Sequence, residues 1–283
     1  MSVAFRIIPR LDIKGPNLVK GMHLEGLRVL GKPEDFAKYY YEHGADELIY
    51  QDVVASLYGR NSLHEIISKT AEEIFIPLTV GGGIRTLEDI SKILRSGADK
   101  VCINTAAIHE PGFISRASRM FGASTVVIGI ETILQENGEY MAFTENGRNA
   151  TDKNAISWAI EAEKLGAGEI LITSVDNEGT GQGIDMKLVS QVANEISIPL
   201  IAHGGIGSMR DVLDLKKAHN ISGVAVASLF HYDFITFTRN LDGYEEEGNT
   251  EFLKSNRIVS NIQPSSIAEL KQYLSSNDII SRV

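Results

Sequence analysis

Short runs of β-branched and aliphatic residues alternate along this chain with longer stretches whose apolar positions recur every three and four residues. The short runs predict strands at Phe5–Asp12, Asp46–Asp52, Ile76–Gly81, Lys100–Asn104, Thr125–Glu131, Glu169–Ser174, Pro199–His203 and Gly223–Ala227. The longer stretches predict helices, among them PEDFAKYYYEHG, SLHEIISKTAEEI, TLEDISKILRSG and KNAISWAIEAEKLG, several with a glycine at or near the end. Strand followed by helix, eight times over, predicts an α/β fold of the (βα)8 or TIM-barrel kind. The rival is an open doubly wound sheet. The alternation is unbroken and no GxGxxG follows the first strand, so the barrel is favoured.

The pattern also repeats within itself. Gly82-Gly83-Ile84 recurs as Gly204-Gly205-Ile206, and Glu47 as Glu169, each 122 residues later. Two half-barrels of four units are expected, fused into a single domain over 1–283 and facing each other across one axis. Glycine just after a strand lets the backbone approach an anion closely, while the following helix points free N–H groups at it. Gly82 and Gly83 with Asn104 and Thr105 form one candidate phosphate seat, and Gly179, Gly204 and Gly205 with Ala227 and Ser228 form the other. Two opposed seats predict a ligand carrying a phosphate at each end. The plainer reading is that these glycines only make tight strand-to-helix turns.

Candidate chemistry lies at both ends of the strands. Asp12 ends the first strand, where a side chain projects into the barrel mouth, and a carboxylate there can exchange protons with a ligand. Lys20, on a long first loop, is either a phosphate partner or a solvated charge. Asp52 and Thr173, also at strand ends, are candidate organisers of the mouth. Arg6, Glu47, Lys100 and Glu169 stand near the starts of four strands, and a barrel gathers them on its floor as two cations and two anions.

Composition narrows the partners. The formal net charge of −10 argues against nucleic acid and against an acidic membrane surface. A lone cysteine, Cys102, cannot form an internal disulfide and reads as core filling in an apolar strand. With no signal-like or membrane-length apolar run, a cytoplasmic protein is expected. The seven histidines lack ligand spacing, so neither a metal nor another cofactor is expected.

The segments RIIPRLDIK, LVKG, ADELIYQDVVAS, PLTVGGGIRT, GADKVCINTAA, GAGEILITSVD and EGTGQG resemble the cyclase subunits of imidazole glycerol phosphate synthase, a (βα)8-barrel family of histidine biosynthesis. The similarity runs from Phe5 to Phe230 and resumes near SIAELKQYL. It implies a heterodimer with a glutaminase, whose ammonia passes through the barrel to a bisphosphate ribonucleotide. The products would be imidazole glycerol phosphate and an aminoimidazole carboxamide ribonucleotide. The resemblance makes Asp12 the first catalytic carboxylate and gives the floor charges the role of an ammonia gate, with Asp99 at the glutaminase interface.

Three positions depart from the family pattern. Glu131 stands where the second catalytic carboxylate is an aspartate, Glu178 where an aspartate is usual, and His203 where a small serine is usual. A further departure is an added segment, roughly 232–264, between the eighth strand and the last helix, which contains Lys254 and Arg257 and is read as a lid or a docking surface. Two functions therefore stand open: a working cyclase, or a paralogue that passes ammonia to a third protein, an amidotransferase of surface-sugar biosynthesis. The sister isomerase of the same pathway shares the two-phosphate barrel but works without a glutaminase, and the floor charges speak against it.

Overall fold

The computed structural model describes residues 4–55, 63–238 and 261–282. Among them the strands are β1 (Arg6–Lys14), β2 (Asn17–Met22), β3 (Glu25–Gly31), β4 (Leu48–Asp52), β5 (Leu78–Gly81), β6 (Lys100–Ile103), β7 (Val126–Leu134), β8 (Tyr140–Thr144), β9 (Asn149–Asn154), β10 (Glu169–Ser174), β11 (Leu200–His203) and β12 (Gly223–Val226). The helices are α1 (Pro33–Glu42), α2 (His64–Glu73), α3 (Leu87–Arg95), α4 (Thr105–His109), α5 (Gly112–Phe121), α6 (Ala155–Lys164), α7 (Met186–Ala193), α8 (Met209–Ala218), α9 (Ser228–Thr238) and α10 (Ile267–Ser275). Eight strands pair in parallel in the order β1, β4, β5, β6, β7, β10, β11, β12, and β12 pairs back onto β1, which closes the barrel.

A parallel strand inside a ring of helices is buried on both faces, which is why the predicted strands read as nearly continuous apolar runs. On β1, Ile7, Leu11 and Ile13 join the large core between barrel and helices, while Ile8 joins a second, inner core. That inner core contains Ile8, Ile49, Cys102, Val127, Leu171, Ile201 and Ala225, supplied by seven of the eight barrel strands. Cys102 is thus bore filling as expected, and burial pushes its thiol up to about 12.

The two halves match in local chemistry as well as in topology. Thr86 and Asp89 cap α3 reciprocally, with Asp89 N–H donating to Thr86 Oγ1 at 3.1 Å and Thr86 N–H to Asp89 Oδ2 at 3.0 Å. In the second half Ser208 N–H donates to Asp211 Oδ2 at 2.9 Å at the start of α8. Gly82 has φ +100° and Gly204 φ +101°, and a Cβ would lie 2.3 Å from the Asp52 carbonyl oxygen in one and 2.5 Å from that of Ser174 in the other. Asp52 and Ser174 are themselves repeat counterparts, so the same close turn is built twice.

Two elements differ from the sequence expectation. The segment carrying Lys20 is not a loop: β1 turns into the antiparallel hairpin β2–β3, and β7 turns likewise into β8–β9. The hairpins bend over the mouth from opposite halves and meet, Asn146 Nδ2 donating to the Leu24 carbonyl at 3.1 Å. Residues 232–238, assigned from sequence to the added segment, continue helix α9. Positions 239–260, with Lys254 and Arg257, lie outside the described residues; beyond them Gln263 N–H donates to the Gly207 carbonyl at 2.7 Å, so the chain rejoins the barrel at a second-half loop.

Candidate active site

Strand alternation sorts the inward side chains into layers. On β1 the inward series is Arg6, Ile8, Arg10, Asp12, and it carries the site from floor to mouth. At the floor, Arg6 pairs with Glu47 at 2.8 Å and with Glu169, while Lys100 pairs with Glu47 at 3.0 Å and Glu169 at 3.2 Å. The four charges therefore form a closed ring in which each cation bridges both anions, as the strand starts led one to expect. The apolar layer lies directly above it.

Arg10 comes next, a residue outside the sequence candidates. Its side chain is only 2 % exposed and reaches across the bore. Nε donates to Asp12 Oδ1 at 2.9 Å, Nη1 donates to Thr173 Oγ1 on β10 at 3.3 Å, and Nη2 is buried without a partner. The signal was in the alternation itself: if Arg6 and Asp12 face the bore, Arg10 does too.

At the mouth, Asp12 and Glu131 project from β1 and β7, which stand opposite each other in the ring of eight. Glu131 Oε2 accepts from Gly147 N–H at 2.8 Å, at the tip of the second hairpin, and from Asn104 Nδ2 at 3.1 Å. Burial raises the Glu131 carboxyl to about 7, against the opposing pull of Arg10 and of the Gly147 N–H. Asn104 spends its second amide hydrogen on the Phe143 carbonyl at 3.0 Å, so its amide serves the carboxylate layer and has no donor left for an anion at the first glycine turn.

Other predicted residues fall around this pair. A cleft reaching down to Arg10 is lined by Asp52, Gly82, Gly83, Asn104, Thr105 and Glu131, which brings the first seat and the carboxylate together. Asp52 Oδ1 accepts from Val54 N–H at 3.0 Å and Ala55 N–H at 2.8 Å, making it an organiser of the loop after β4. In the second half, Gly179 and the Gly204–Gly205 turn lie in the loops after β10 and β11, and Ala227 and Ser228 stand where β12 passes into α9. Gly205 carries φ +102°, and its Cβ would lie 2.0 Å from the Gly183 carbonyl oxygen. Internal packing alone therefore requires these glycines. Asp99 sits at the floor, its Oδ2 accepting from Leu78 N–H at 2.9 Å.

Lys20 is no solvated charge. It is 3 % exposed, ion-paired with Glu178 and donating to the Gly21 carbonyl at 3.0 Å, while Glu178 Oε2 accepts from Leu24 N–H at 3.2 Å. The first hairpin is thereby fastened onto the loop after β10, in the opposite half.

His203 donates from Nδ1 to the Ala225 carbonyl at 3.0 Å, which leaves Nε2 as a buried acceptor without a partner. Burial, reinforced by Arg10, pushes this imidazole down to about 3, and burial with Lys20 does the same to His231 in α9. In the unfolded chain both bind protons below about pH 6.5. Between that value and about 3 the unfolded state holds more protons, so their share of stability is lost as pH falls through this window. Glu131 works oppositely: its raised value makes its contribution full below 4.5 and lost as pH rises to about 7. Where the windows overlap, two histidines outweigh one carboxylate. The urea midpoint is therefore expected to fall from pH 6.5 to pH 5, and less steeply in His203→Ser; an equal slope in the variant would refute a neutral buried imidazole.

The fold and site define a class: a closed (βα)8 barrel of two matched halves, with a buried carboxylate pair at its mouth and an ion-pair ring at its floor. The family model described as "Histidine biosynthesis protein" matches residues 6–236. Similar proteins include three named "Imidazole glycerol phosphate synthase subunit HisF". That of Legionella pneumophila is 57 % identical over 206 residues, which are 73 % of this chain and 97 % of that protein. That of Methanopyrus kandleri is 41 % identical over 266 residues, 88 % of this chain and 98 % of the other. That of Bifidobacterium adolescentis is 44 % identical over 256 residues, 88 % and 99 % respectively. The chain belongs to the histidine biosynthesis protein family, as the sequence segments implied. No helix among the described residues is long and apolar enough to cross a membrane.

Proposed function

We propose that this chain is the cyclase subunit of an imidazole glycerol phosphate synthase. It takes ammonia released by a glutaminase subunit docked at the floor near Asp99, and joins it at the mouth to a bisphosphate ribonucleotide. The observation that carries this reading is the buried pair Asp12 and Glu131, one from each half-barrel, in a chain 41 % to 57 % identical to proteins named as that synthase's subunit. One carboxylate takes the proton that the entering nitrogen sheds and the other returns a proton to the departing nitrogen. The phosphates rest on Gly82, Gly83 and Thr105 at one end and on Gly179, Gly204, Gly205, Ala227 and Ser228 at the other. Asn104 orients Glu131, Thr173 orients Arg10, and the Lys20–Glu178 pair fastens the hairpin over the ligand. The floor ring is the ammonia gate, and the apolar layer above it favours neutral ammonia over ammonium by desolvation. The reaction belongs to the cytoplasm, where the lone cysteine stays reduced.

The test supplies an ammonium salt and the bisphosphate ribonucleotide to the isolated chain and follows both products. Turnover is expected, with a loss of roughly two to four orders of magnitude in Glu131→Gln and binding kept by calorimetry. Tight binding with no turnover in the unaltered chain would overturn the cyclase and leave an ammonia conduit serving a third protein.

A further inference from the structure

Among the described residues, Arg10 and Lys20 are buried cations at the mouth, and Asp12, Glu131 and Glu178 are the carboxylates whose charge bears on Arg10; Asp52, also buried there, holds the loop after β4. Lys20 is matched by Glu178 and Arg10 by Asp12, each through a direct ion pair. Glu131 is the carboxylate left over. Its donors are neutral, the Gly147 backbone and the Asn104 amide.

Arg10 is the group that decides which carboxylate is left over. It stays charged at every physiological pH, and its planar fork is held at two points, by Asp12 on its own strand and by Thr173 on β10. The asymmetry is written into the repeat. Asp12 and Glu131 are counterparts, and the position that matches Arg10, two residues earlier on β7, is Gly129. At this strand position the first half supplies a cation and the second half a glycine.

We propose that Arg10 is a positioning residue which fixes Asp12 as the ionised member of the carboxylate pair and leaves Glu131 as the member that carries the exchangeable proton. The roles rest on the cyclase reading above: Asp12 is then the base and Glu131 the acid when ammonia enters. The groups that face Arg10 are Asp12 on β1, Glu131 on β7, Glu178 after β10, His203 on β11 and Cys102 on β6. With His203 and the thiol buried and neutral and Glu178 matched by Lys20, the guanidinium is left between Asp12, which it holds in a direct ion pair, and Glu131, which it does not. The upward displacement of Glu131 to about 7 agrees with this division.

The experiment needs no substrate, so its failure is separable from failure of the cyclase reading. The intact chain, labelled with carbon-13 at Asp and Glu carboxyls, is titrated by NMR from about pH 5 to about pH 9, with resonances assigned by Asp12→Asn and Glu131→Gln. In the unaltered protein, Glu131 is expected to titrate near neutrality while Asp12 keeps the chemical shift of an ionised carboxylate. Arg10→Met, close in length but uncharged, is expected to raise the pair's affinity for its first proton about tenfold or more and to let Asp12 share it. Arg10→Lys is expected to return the titration toward the original, since it restores the charge. Should Arg10→Met not fold, Glu131→Gln still decides: the near-neutral titration is expected to vanish and Asp12 to stay ionised. The proposal is overturned if Asp12 is the group that takes the proton, if the near-neutral titration survives Glu131→Gln, or if a folded Arg10→Met titrates as the original does.

Discussion

Asp12→Asn is expected to lower ammonium-driven turnover by roughly two to four orders of magnitude while leaving binding of the bisphosphate ribonucleotide within a few-fold. The carboxylate stands near the mouth end of β1, buried, with one oxygen already held by Arg10 Nε at 2.9 Å. Asparagine keeps an oxygen in that place, so the guanidinium retains an acceptor and the mouth keeps its shape. What is lost is the negative charge. Arg10, with Glu131 as its remaining carboxylate not matched by another cation, then draws Glu131 toward its ionised form, and the site loses the division between base and proton donor. The buried cation also loses its ion pair, so the variant is expected to be less stable by about 3 kcal/mol. Ligand binding by calorimetry separates lost chemistry from lost structure. A variant that binds the ribonucleotide and turns it over at the original rate would remove Asp12 from the mechanism.

The barrel was legible because its signals are local. Each parallel strand is an apolar run such as Glu169–Ser174, the helices carry their own apolar period, and several carry their own caps, as at Thr86 and Asp89. The floor ring was legible for the same reason, since strand starts fix the height of Arg6, Glu47, Lys100 and Glu169. Contacts between distant segments were not. The sequence leaves Lys20 open between a phosphate partner and a solvated charge, because its burial depends on the first hairpin crossing to Glu178, 158 residues away. The second hairpin has a local signal: ENGR lies between YMAFT and NATDKN, and asparagine-glycine between such runs favours a tight turn. Asn104 was assigned to a phosphate seat by its place after β6, whereas its amide is spent on Glu131 and the Phe143 carbonyl. That choice depends on where β8 lies, and β8 was not foreseen.

The floor ring leads to the second large effect. Glu169 accepts from both Arg6 and Lys100, and its side chain is the most buried of the four, at 6 % exposed. Glu169→Gln removes one of two anions from a ring in which each cation bridges both, so two positive charges are left facing Glu47 alone. Loss of a partner from a mostly buried network costs about 3 kcal/mol, discounted to about 2 kcal/mol because Arg6 and Lys100 retain some solvent contact at 19 % exposed. For a chain of this size that corresponds to a fall in melting temperature of roughly 3 °C, measurable by calorimetry. The chemistry at the mouth lies beyond the apolar layer and is untouched, so turnover driven by external ammonium salt is expected to stay within about twofold. Turnover driven by glutamine, in the complex with the glutaminase, is expected to drop by about tenfold or more, because a net positive floor disturbs the passage of ammonia and the docking face together. Equal losses with both nitrogen sources would make the ring a stabilising device for the barrel and nothing more. A selective loss with glutamine would make it the entrance, since only nitrogen that arrives through the base has to cross it.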